Sequence, residues 1–226
     1  MNYKIQGTGV MAGPAALLAL VLVLAATVPA TAIENLGFVV GVDRTQLAGD
    51  EPKDFSYQQE IGFLVGAVVE FGLARDILLS IQPGYLHTRT GIAYKDKDLG
   101  EKRDSLSLDL DWIVVPVLAR IKSQNSVFYA TGGLDFAVGI GGGLTDGQQE
   151  VPMETFIREL DVAALIGAGI ELPVGRYRVT VELRYRQGLL NLANDDLEAN
   201  QDGLPARFRL AGMQFQVGLL LPLGGP

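Results

Sequence analysis

Apolar and polar residues alternate one by one along most of the sequence after residue 32. This period of two is the pattern of a β-strand whose two faces meet different surroundings. In residues 177–187 (YRVTVELRYRQ), alternate side chains are apolar or aromatic, and those between them are Arg, Thr or Glu. Segments of this kind predict eight antiparallel strands, at residues 36–43, 60–73, 77–87, 105–121, 127–140, 157–171, 177–187 and 211–221.

The connections between these segments alternate in length. Three are short, at residues 74–76, 122–126 and 172–176, and four are long, at residues 48–59, 88–104, 141–156 and 189–207. An even number of strands, with tight turns at one end and long polar loops at the other, is typical of outer-membrane barrels. We therefore predict an all-β protein: an eight-stranded antiparallel up-and-down transmembrane β-barrel in the outer membrane of a Gram-negative bacterium. Because the strand number is even, both termini are expected on the periplasmic side.

The first 32 residues have a different pattern. Lys4 is their only charged residue, an apolar stretch follows at residues 15–28, and Ala30-Thr31-Ala32 forms a small-x-small site. This pattern predicts a secretory signal peptide that is cleaved after Ala32. A single membrane anchor is the alternative, but the apolar stretch is short for a spanning helix. The predicted organisation is a cleaved signal peptide at residues 1–32 and one barrel domain at residues 33–226.

The two faces of the predicted strands differ in bulk. One carries aromatic and aliphatic residues, and the other carries Ser, Thr, Gln, charged residues and many of the 28 glycines. The interior of an eight-stranded barrel has little room, so the bulky face would overpack it. We therefore expect the bulky face, with Trp112, Phe136 and Phe215, to contact lipid, while the Gly-rich face lines the lumen. A soluble ligand-binding barrel with its apolar face inside is the alternative.

Charged residues on the lumen face need partners, because a narrow interior cannot hold isolated charges. Glu171 on the sixth predicted strand can reach Arg178 on the seventh, and at the other end the acids of the sixth strand face the remaining arginines of the seventh. We interpret these side chains as a structural polar network; a path for cations or protons is the alternative. The predicted members are Glu60, Glu70, Asp109, Asp111, Asp135, Glu159, Asp161, Glu171, Arg178, Glu182, Arg184 and Arg186.

Five aromatic residues fall near the ends of the predicted strands. Phe71 and Tyr177 fall near the short turns, and Tyr85, Tyr185 and Phe208 fall near the long loops. Aromatic belts are typical of both lipid–water interfaces of a membrane barrel. We predict that these five side chains lie at the interfaces, although aromatic residues are also common in ordinary strands.

Longer segments combine the strand pattern with recurring Gly and Pro positions. They are residues 111–122 (DWIVVPVLARIK), 128–143 (FYATGGLDFAVGIGGG), 165–192 (LIGAGIELPVGRYRVTVELRYRQGLLNL) and 209–223 (RLAGMQFQVGLLLPL). In these segments the chain resembles the PorT-like outer-membrane β-barrel proteins, over nearly all of residues 33–223. The resemblance implies a membrane barrel and admits a role in protein secretion or surface assembly. Many outer-membrane barrels end in an aromatic residue that the assembly machinery reads; this sequence ends in Gly-Gly-Pro, which leaves residues 215–221 as the candidate insertion signal.

The residue types also limit the chemistry. Cys is absent and His87 is the only histidine, which excludes disulfides, thiolate metal sites and cysteine nucleophiles and disfavours most histidine chemistry. The net charge of −8 argues against nucleic acid as a partner. We therefore expect no metal, no cofactor and no enzymatic activity. The expected partners are membrane lipid, the outer-membrane assembly machinery and an unidentified protein at the surface loops.

The function predicted from these features is that of a non-enzymatic scaffold, or a component of adhesion or assembly, with long surface loops. A narrow pore for small solutes or cations is one alternative. A lipid A-modifying enzyme is the other, because His87 falls near the long-loop end on the lipid-facing register. Thr88 faces the opposite side, however, and the nearest serines also fall on the lumen register, so no nucleophile is visible beside His87.

Overall fold

The computed structural model describes residues 33–49, 55–95, 102–124, 127–145, 150–152, 157–193 and 207–223. The predicted signal peptide and parts of the four long loops lie outside the described residues. The described residues form the strands β1 (Ile33–Gly49), β2 (Phe55–Ala74), β3 (Ile77–Ile81), β4 (Gly84–Lys95), β5 (Lys102–Lys122), β6 (Phe128–Thr145), β7 (Glu150–Pro152), β8 (Leu160–Val174), β9 (Tyr177–Gly188) and β10 (Phe208–Pro222). No helix in this part of the chain is long and apolar enough to cross a bilayer.

The strands pair antiparallel, and the sheet closes on itself. β1 pairs with β2 on one side and with β10 on the other, in a register that runs from Asn35 opposite Pro222 to Gly49 opposite Phe208. Around the ring the order is β1, β2, β3 together with β4, β5, β6, β8, β9 and β10, and the short β7 pairs with the end of β6. The ring therefore has eight positions, and the predicted eight-stranded antiparallel barrel is confirmed. A closed ring leaves no strand edge unpaired, which is what a bilayer requires.

One position of the ring is occupied by two strands. β3 and β4 lie one after the other between β2 and β5, separated by Gln82 and Pro83. Proline has no N–H to donate to the ladder, so Pro83 leaves one ladder hydrogen bond unmade at this point. The neighbouring strands still bind the interruption: the Gln82 N–H donates to the Pro116 carbonyl at 3.0 Å, and the Ala67 N–H donates to the Pro83 carbonyl at 2.9 Å. The wall is therefore hydrogen-bonded on both sides of the break.

Two positions require glycine for different reasons. Gly66 on β2 lies opposite Gly84 on β4, and a Cβ on Gly84 would lie 2.5 Å from the Val65 carbonyl oxygen. The strands approach too closely there for any side chain. In the tight turn between β8 and β9, Gly175 has φ of 60°, a left-handed conformation that other residues rarely adopt.

The strands extend further toward the long loops than the alternation predicts. β2 begins at Phe55, and β6 continues to Thr145. β5 has 21 residues, whereas a tilted strand needs only about 9–11 to cross a bilayer. We distinguish a lower section of the barrel, near the short turns (residues 113–122 of β5), from an upper section, near the long loops (residues 102–112 of β5).

In the lower section, apolar side chains form the outer wall. Phe38 and Val40 on β1 and Phe215 on β10 are about half exposed, and Phe136 on β6 is half-buried on the same wall. Glycines, glutamines and charged residues, with some apolar side chains such as Val39 and Leu118, occupy the alternate positions, which face the lumen. This is the arrangement that the bulk of the two faces predicts, with lipid outside.

In the upper section, the apolar side chains lie inside. Trp112 on β5 is only 1% exposed and belongs to an apolar cluster with Leu108 and Leu110 of the same strand and Phe208 of β10. The prediction that Trp112 contacts lipid is therefore wrong. The physical reason is that the outer wall of this section carries polar groups, so apolar side chains leave water only by facing inward.

Candidate functional site

Charged side chains meet in the lower part of the lumen. Arg120 on β5 donates through one terminal nitrogen to Glu70 on β2 and through the other to Glu171 on β8, the latter at 2.8 Å. The second carboxylate oxygen of Glu171 accepts hydrogen bonds from Lys122 at 3.1 Å and from Arg178 at 2.8 Å. These contacts connect strands β2, β5, β8 and β9 across the interior.

A second cluster lies on β9 and reaches across the barrel. Glu182 pairs with Arg184, which also donates to the side-chain oxygen of Gln82 at 2.9 Å. The hydroxyls of Tyr129 and Thr131 on β6 donate to Glu182 at 2.9 and 2.7 Å. Both carboxylate oxygens of Glu182 therefore have partners although the residue is buried, as buried charges require.

A third cluster surrounds Arg186, which is 1% exposed. Its guanidinium donates to Asp135 on β6 at 3.1 Å and to Asp161 on β8 at 2.7 Å. Asp43 on β1, also fully buried, accepts a hydrogen bond from Gln214 on β10 at 3.1 Å. Strands from both halves of the ring therefore contribute charges to the middle of the lumen.

The space left between these side chains is small. A cavity of about 30 Å³ lies between the apolar residues Val39 and Leu86 and the polar residues Asp135 and Arg184, and another of about 10 Å³ lies beside Glu70. A single water molecule needs about 10–15 Å³ of such volume. Each of these two cavities is therefore large enough for a few water molecules at most and too small for a larger solute.

The structure places most of the predicted lumen residues together in these clusters. They are Glu70, Asp135, Asp161, Glu171, Arg178, Glu182, Arg184 and Arg186. The prediction of a lumen position is wrong for four acids. They are Glu60, Asp109, Asp111 and Glu159.

Each of these corrections has a local cause. Asp109 and Asp111 face outward because the alternate residues of β5, such as Leu110, fill the apolar interior of the upper section. Glu60 turns outward because a register irregularity in the pairing of β2 with β4 shifts the alternation by one residue. Glu159 is exposed because β8 begins only after it, at Leu160.

Sequence reasoning also missed lumen residues that the structure reveals. Arg120 is central to the lower cluster, but it follows an apolar run, residues 112–119, whose two faces are equally apolar. Alternation therefore could not assign it to a face. Gln82 falls on the polar face of its predicted strand, but its contact with Arg184 across the lumen was not predicted. The one usable signal was that Arg120 is the single charge in a stretch otherwise suited to lipid.

The outward acids form an outer-wall patch in the upper section with residues of β4 and β2. Asp111 accepts hydrogen bonds from the Tyr85 hydroxyl and from Nδ1 of His87, the latter at 2.8 Å. The ring of Phe63 lies near both Tyr85 and His87: its centroid is 5.7 Å from the centroid of the Tyr85 ring and 5.4 Å from that of the His87 ring. We call Phe63, Tyr85, His87, Arg89, Asp109 and Asp111 the outer-wall patch.

Ion pairs complete this patch. Arg89 on β4 makes two hydrogen bonds with Asp109 on β5, at 2.5 and 3.3 Å, and lies 3.8 Å from a carboxylate oxygen of Glu60. Thr88, between His87 and Arg89 in sequence, is buried on the lumen side. The His–Asp pair has the geometry to accept a proton, but no hydroxyl nucleophile bonds to His87 within the described residues.

Three of the five predicted interface aromatics lie on the outer wall or near the short turns, and the other two are buried. Tyr85 and Tyr185 lie on the outer wall toward the long loops, and Tyr177 lies near the short turns with its hydroxyl 2.6 Å from Arg176. The interface prediction is wrong for Phe208, which is buried in the apolar cluster of the upper section. It is also wrong for Phe71, which is packed within the wall and almost fully buried.

A closed antiparallel barrel with an apolar outer wall and a lumen of buried ion pairs defines a membrane-spanning β-barrel protein. Residues 34–194 match the family model described as outer membrane protein beta-barrel domain, and the chain belongs to this family. Its location is accordingly the outer membrane of a Gram-negative bacterium. Among the described residues, no group of three or more acids or histidines is arranged to hold a metal ion.

Several solved structures are similar in fold. OprG from Pseudomonas aeruginosa is 10% identical, with 85% of this chain and 95% of that chain covered and a TM-score of 0.47. Ail of Yersinia pestis, in complex with the heparin analogue sucrose octasulfate, is 13% identical over 83% of this chain and 99% of that chain, with a TM-score of 0.40. Neisserial surface protein A is 11% identical over 82% and 97%, with a TM-score of 0.42. The comparison with curated proteins gives no match.

Proposed function

We propose that this protein is a non-enzymatic, non-conducting anchor in the outer membrane, with its long loops and upper section presented outside the cell. Both termini are then periplasmic, because Asn35 and Pro222, which pair at the ends of β1 and β10, lie at the short-turn end of the barrel. The role of such an anchor is adhesion or assembly at the surface. The resemblance of four segments to PorT-like proteins adds protein secretion as a process it could serve.

The observation that carries the proposal is the filling of the lumen. Arg120, Arg184 and Arg186 each bind carboxylates, and Arg184 also binds Gln82 across the barrel. Removing a hydrogen-bonded partner from a buried ion pair costs several kcal/mol, so such side chains do not readily move aside for a solute. The two cavities of about 30 and 10 Å³ between these clusters are each too small for a solute larger than a few water molecules.

Single-channel recording in planar bilayers tests this proposal. We expect the unchanged protein to give no stepwise current. The double variant Glu182→Ala with Arg184→Ala removes two buried charges of β9 together with the contact of Arg184 with Gln82 across the lumen, and we expect it to conduct. Arg44→Ala, on the outer wall of β1, is the control and should remain silent.

Heat-modifiable migration on a gel establishes first that each variant is folded. Steps of current from the unchanged protein would contradict the proposal and would favour the narrow pore for small solutes or cations. Absence of current from the folded double variant would also count against the proposal, because the buried side chains of Glu182 and Arg184 would then not be what blocks conduction.

A lipid A-modifying enzyme is a second candidate, favoured by the contact of His87 with Asp111 on the outer wall. A carboxylate that orients an imidazole is a recurring arrangement in general-base catalysis. The test is the mass spectrum of lipid A from cells that produce the protein or its His87→Ala variant. The anchor proposal expects identical spectra, and a lipid A mass that depends on His87 would replace it with the enzyme.

A further inference from the structure

An arginine faces outward on β1, where the apolar outer wall ends. Arg44 lies directly opposite Met213 of β10 and Ile61 of β2, whose side chains are 43% and 73% exposed. Val42, the next outward residue below Arg44, is also about half exposed. Arg44 therefore has exposed apolar side chains on three sides and lies at the level where the surrounding lipids place their headgroups.

The guanidinium of Arg44 has no counter-charge in the part of the chain that the structure describes. It makes no ion pair there, and the same holds for Arg209, which is exposed on the outer wall of β10. Glu60, which precedes Ile61 on β2, lies 3.8 Å from Arg89 instead. Because a charge beside hydrocarbon is costly without a partner, we looked for that partner among the surrounding lipids.

Gln46 and Arg209 add further donors beside Arg44. Gln46 is the next outward residue above Arg44 on β1, and it pairs with Ala211, which is two residues from Arg209 on β10. Outward residues two apart on one strand lie about 7 Å apart, and diagonal neighbours across a ladder about 7–8 Å apart, which long side chains can span. The Gln46 side-chain oxygen accepts from Gln59 at 2.9 Å, which leaves its NH2 group as a donor. Two guanidiniums and an amide therefore surround one position on the outer wall.

We propose that Arg44, Gln46 and Arg209 bind the phosphate of an anionic membrane lipid at the long-loop end of the barrel. A guanidinium pairs with phosphate oxygens through parallel N–H···O bonds, and the amide supplies a further N–H. The source is a lipid rather than dissolved phosphate, because Ile61 and Met213 beside Arg44 belong to the lipid-facing wall. These side chains face away from the lumen, so the inference is independent of whether the lumen conducts.

Native mass spectrometry of the folded barrel in detergent tests the inference. The protein is mixed with equal amounts of phosphatidylglycerol and phosphatidylcholine that carry the same acyl chains. Both lipids have a phosphate, but in phosphatidylcholine the choline cation neutralises it. We expect phosphatidylglycerol to be retained roughly five- to tenfold over phosphatidylcholine, the factor that two exposed ion pairs give. Added salt should weaken this preference, and inorganic phosphate should not displace the lipid.

Variants connect the preference to these three side chains. Arg44→Gln with Arg209→Gln should abolish it. Gln46→Glu keeps both arginines and an acceptor for Gln59 but puts a negative charge between the arginines, and it should abolish the preference as well. Arg75→Gln, which removes an exposed arginine at the short-turn end, is the matched control and should retain the preference.

Equal retention of the two lipids by the unchanged protein would overturn the inference and would leave water or the acids of the chain's own long loops as partners of the arginines. A preference that survives in either folded variant would also overturn it, as would displacement of the lipid by inorganic phosphate. Heat-modifiable migration on a gel establishes that each variant is folded. If the double variant does not fold, Gln46→Glu decides the outcome.

Discussion

On β5, Arg120 faces the lumen and its neighbour Ile121 faces outward, whereas further up the same strand Leu110 faces the interior and Asp109 faces outward. The alternation along β5 is unbroken between these positions. The outer face of β5 therefore changes from apolar at Ile121 to acidic at Asp109 on one continuous backbone, whereas its inward face is charged at Arg120 and apolar from Leu118 upward. What changes along the strand is the medium outside: lipid beside Ile121 and water beside Asp109.

The difference teaches that neither face of a long barrel strand is intrinsically the lipid face. Apolar side chains go outward where the surroundings are hydrocarbon and inward where the surroundings are water. In the lower section this leaves the interior to charged side chains, which pair with one another. In the upper section, where water is outside, the apolar side chains turn inward and form an apolar interior around Trp112, like that of a soluble barrel.

On β2 the outer wall also changes from apolar to polar, but here a register irregularity in the backbone is the cause. Below the register irregularity, Phe63 and Ile61 face outward, whereas above it Tyr57 packs against the apolar interior and Glu60 is outside. A β-bulge adds one residue to one strand and so reverses which side chains face out. On β5 the outer wall becomes polar because the residue types change, whereas on β2 it becomes polar because the bulge reverses which side chains face outward.

The largest expected effect comes from removing a cation from the middle of the lumen. Arg186→Ala leaves Asp135 and Asp161 buried without their shared partner, and we expect a loss of about 3–5 kcal/mol in the free energy of unfolding. Urea unfolding in micelles, followed by the fluorescence of Trp112, the one tryptophan of the chain, measures it. Arg178→Ala is the control, because this partly exposed arginine shares Glu171 with two other cations, and it should cost below about 1 kcal/mol. Equal losses in the two variants would contradict the idea that Asp135 and Asp161 depend on Arg186 as their shared buried partner.

An intermediate effect on the free energy of unfolding distinguishes the outer wall of the lower section from that of the upper section. Val40→Arg puts a charge on the lipid-facing wall of β1 and should cost about 2–4 kcal/mol, whereas Gln46→Arg, higher on the outer wall of the same strand, should cost about 0–1 kcal/mol. Unfolding of both variants in lipid vesicles gives the comparison. If the two substitutions cost the same, the boundary between the lower and upper sections is not the edge of the membrane.

The smallest effect compares the interior of the upper section with the outer wall of the lower section. Ile92→Val removes a buried methylene from the apolar interior and should cost about 0.5–1.5 kcal/mol. Ile166→Val makes the identical change at a side chain that is 66% exposed on the outer wall, and should cost below about 0.5 kcal/mol. A larger loss at Ile166 than at Ile92, from the same unfolding measurements, would show that the upper interior is loosely packed.

Much of the barrel could be predicted because its alternation is clean. On β9, charged or polar residues alternate with apolar or aromatic ones without exception through residues 177–186, so Arg184 and Arg186 share one face, which the difference in bulk between the two faces assigns to the lumen. On β5 the run before Arg120 is apolar on both faces, so the pattern does not show which face points outward. The Leu–Asp alternation above this run fits equally well with the Leu side chains facing lipid or with the Asp side chains facing water. The outer-wall patch was missed for this reason, since it depends on which face of β5 turns out.

The amino-acid sequence by itself determined that strands alternate in polarity, that the barrel ring has eight positions, and that the long and short connections fall at opposite ends. Those properties depend on residues near one another in the chain. Only the tertiary structure decided how far the apolar outer wall extends, where Trp112 and Asp111 point, and which charges meet across the lumen. These depend on the length of each strand beyond the bilayer, on a one-residue irregularity in β2 and on contacts between residues as distant in sequence as Gln82 and Arg184.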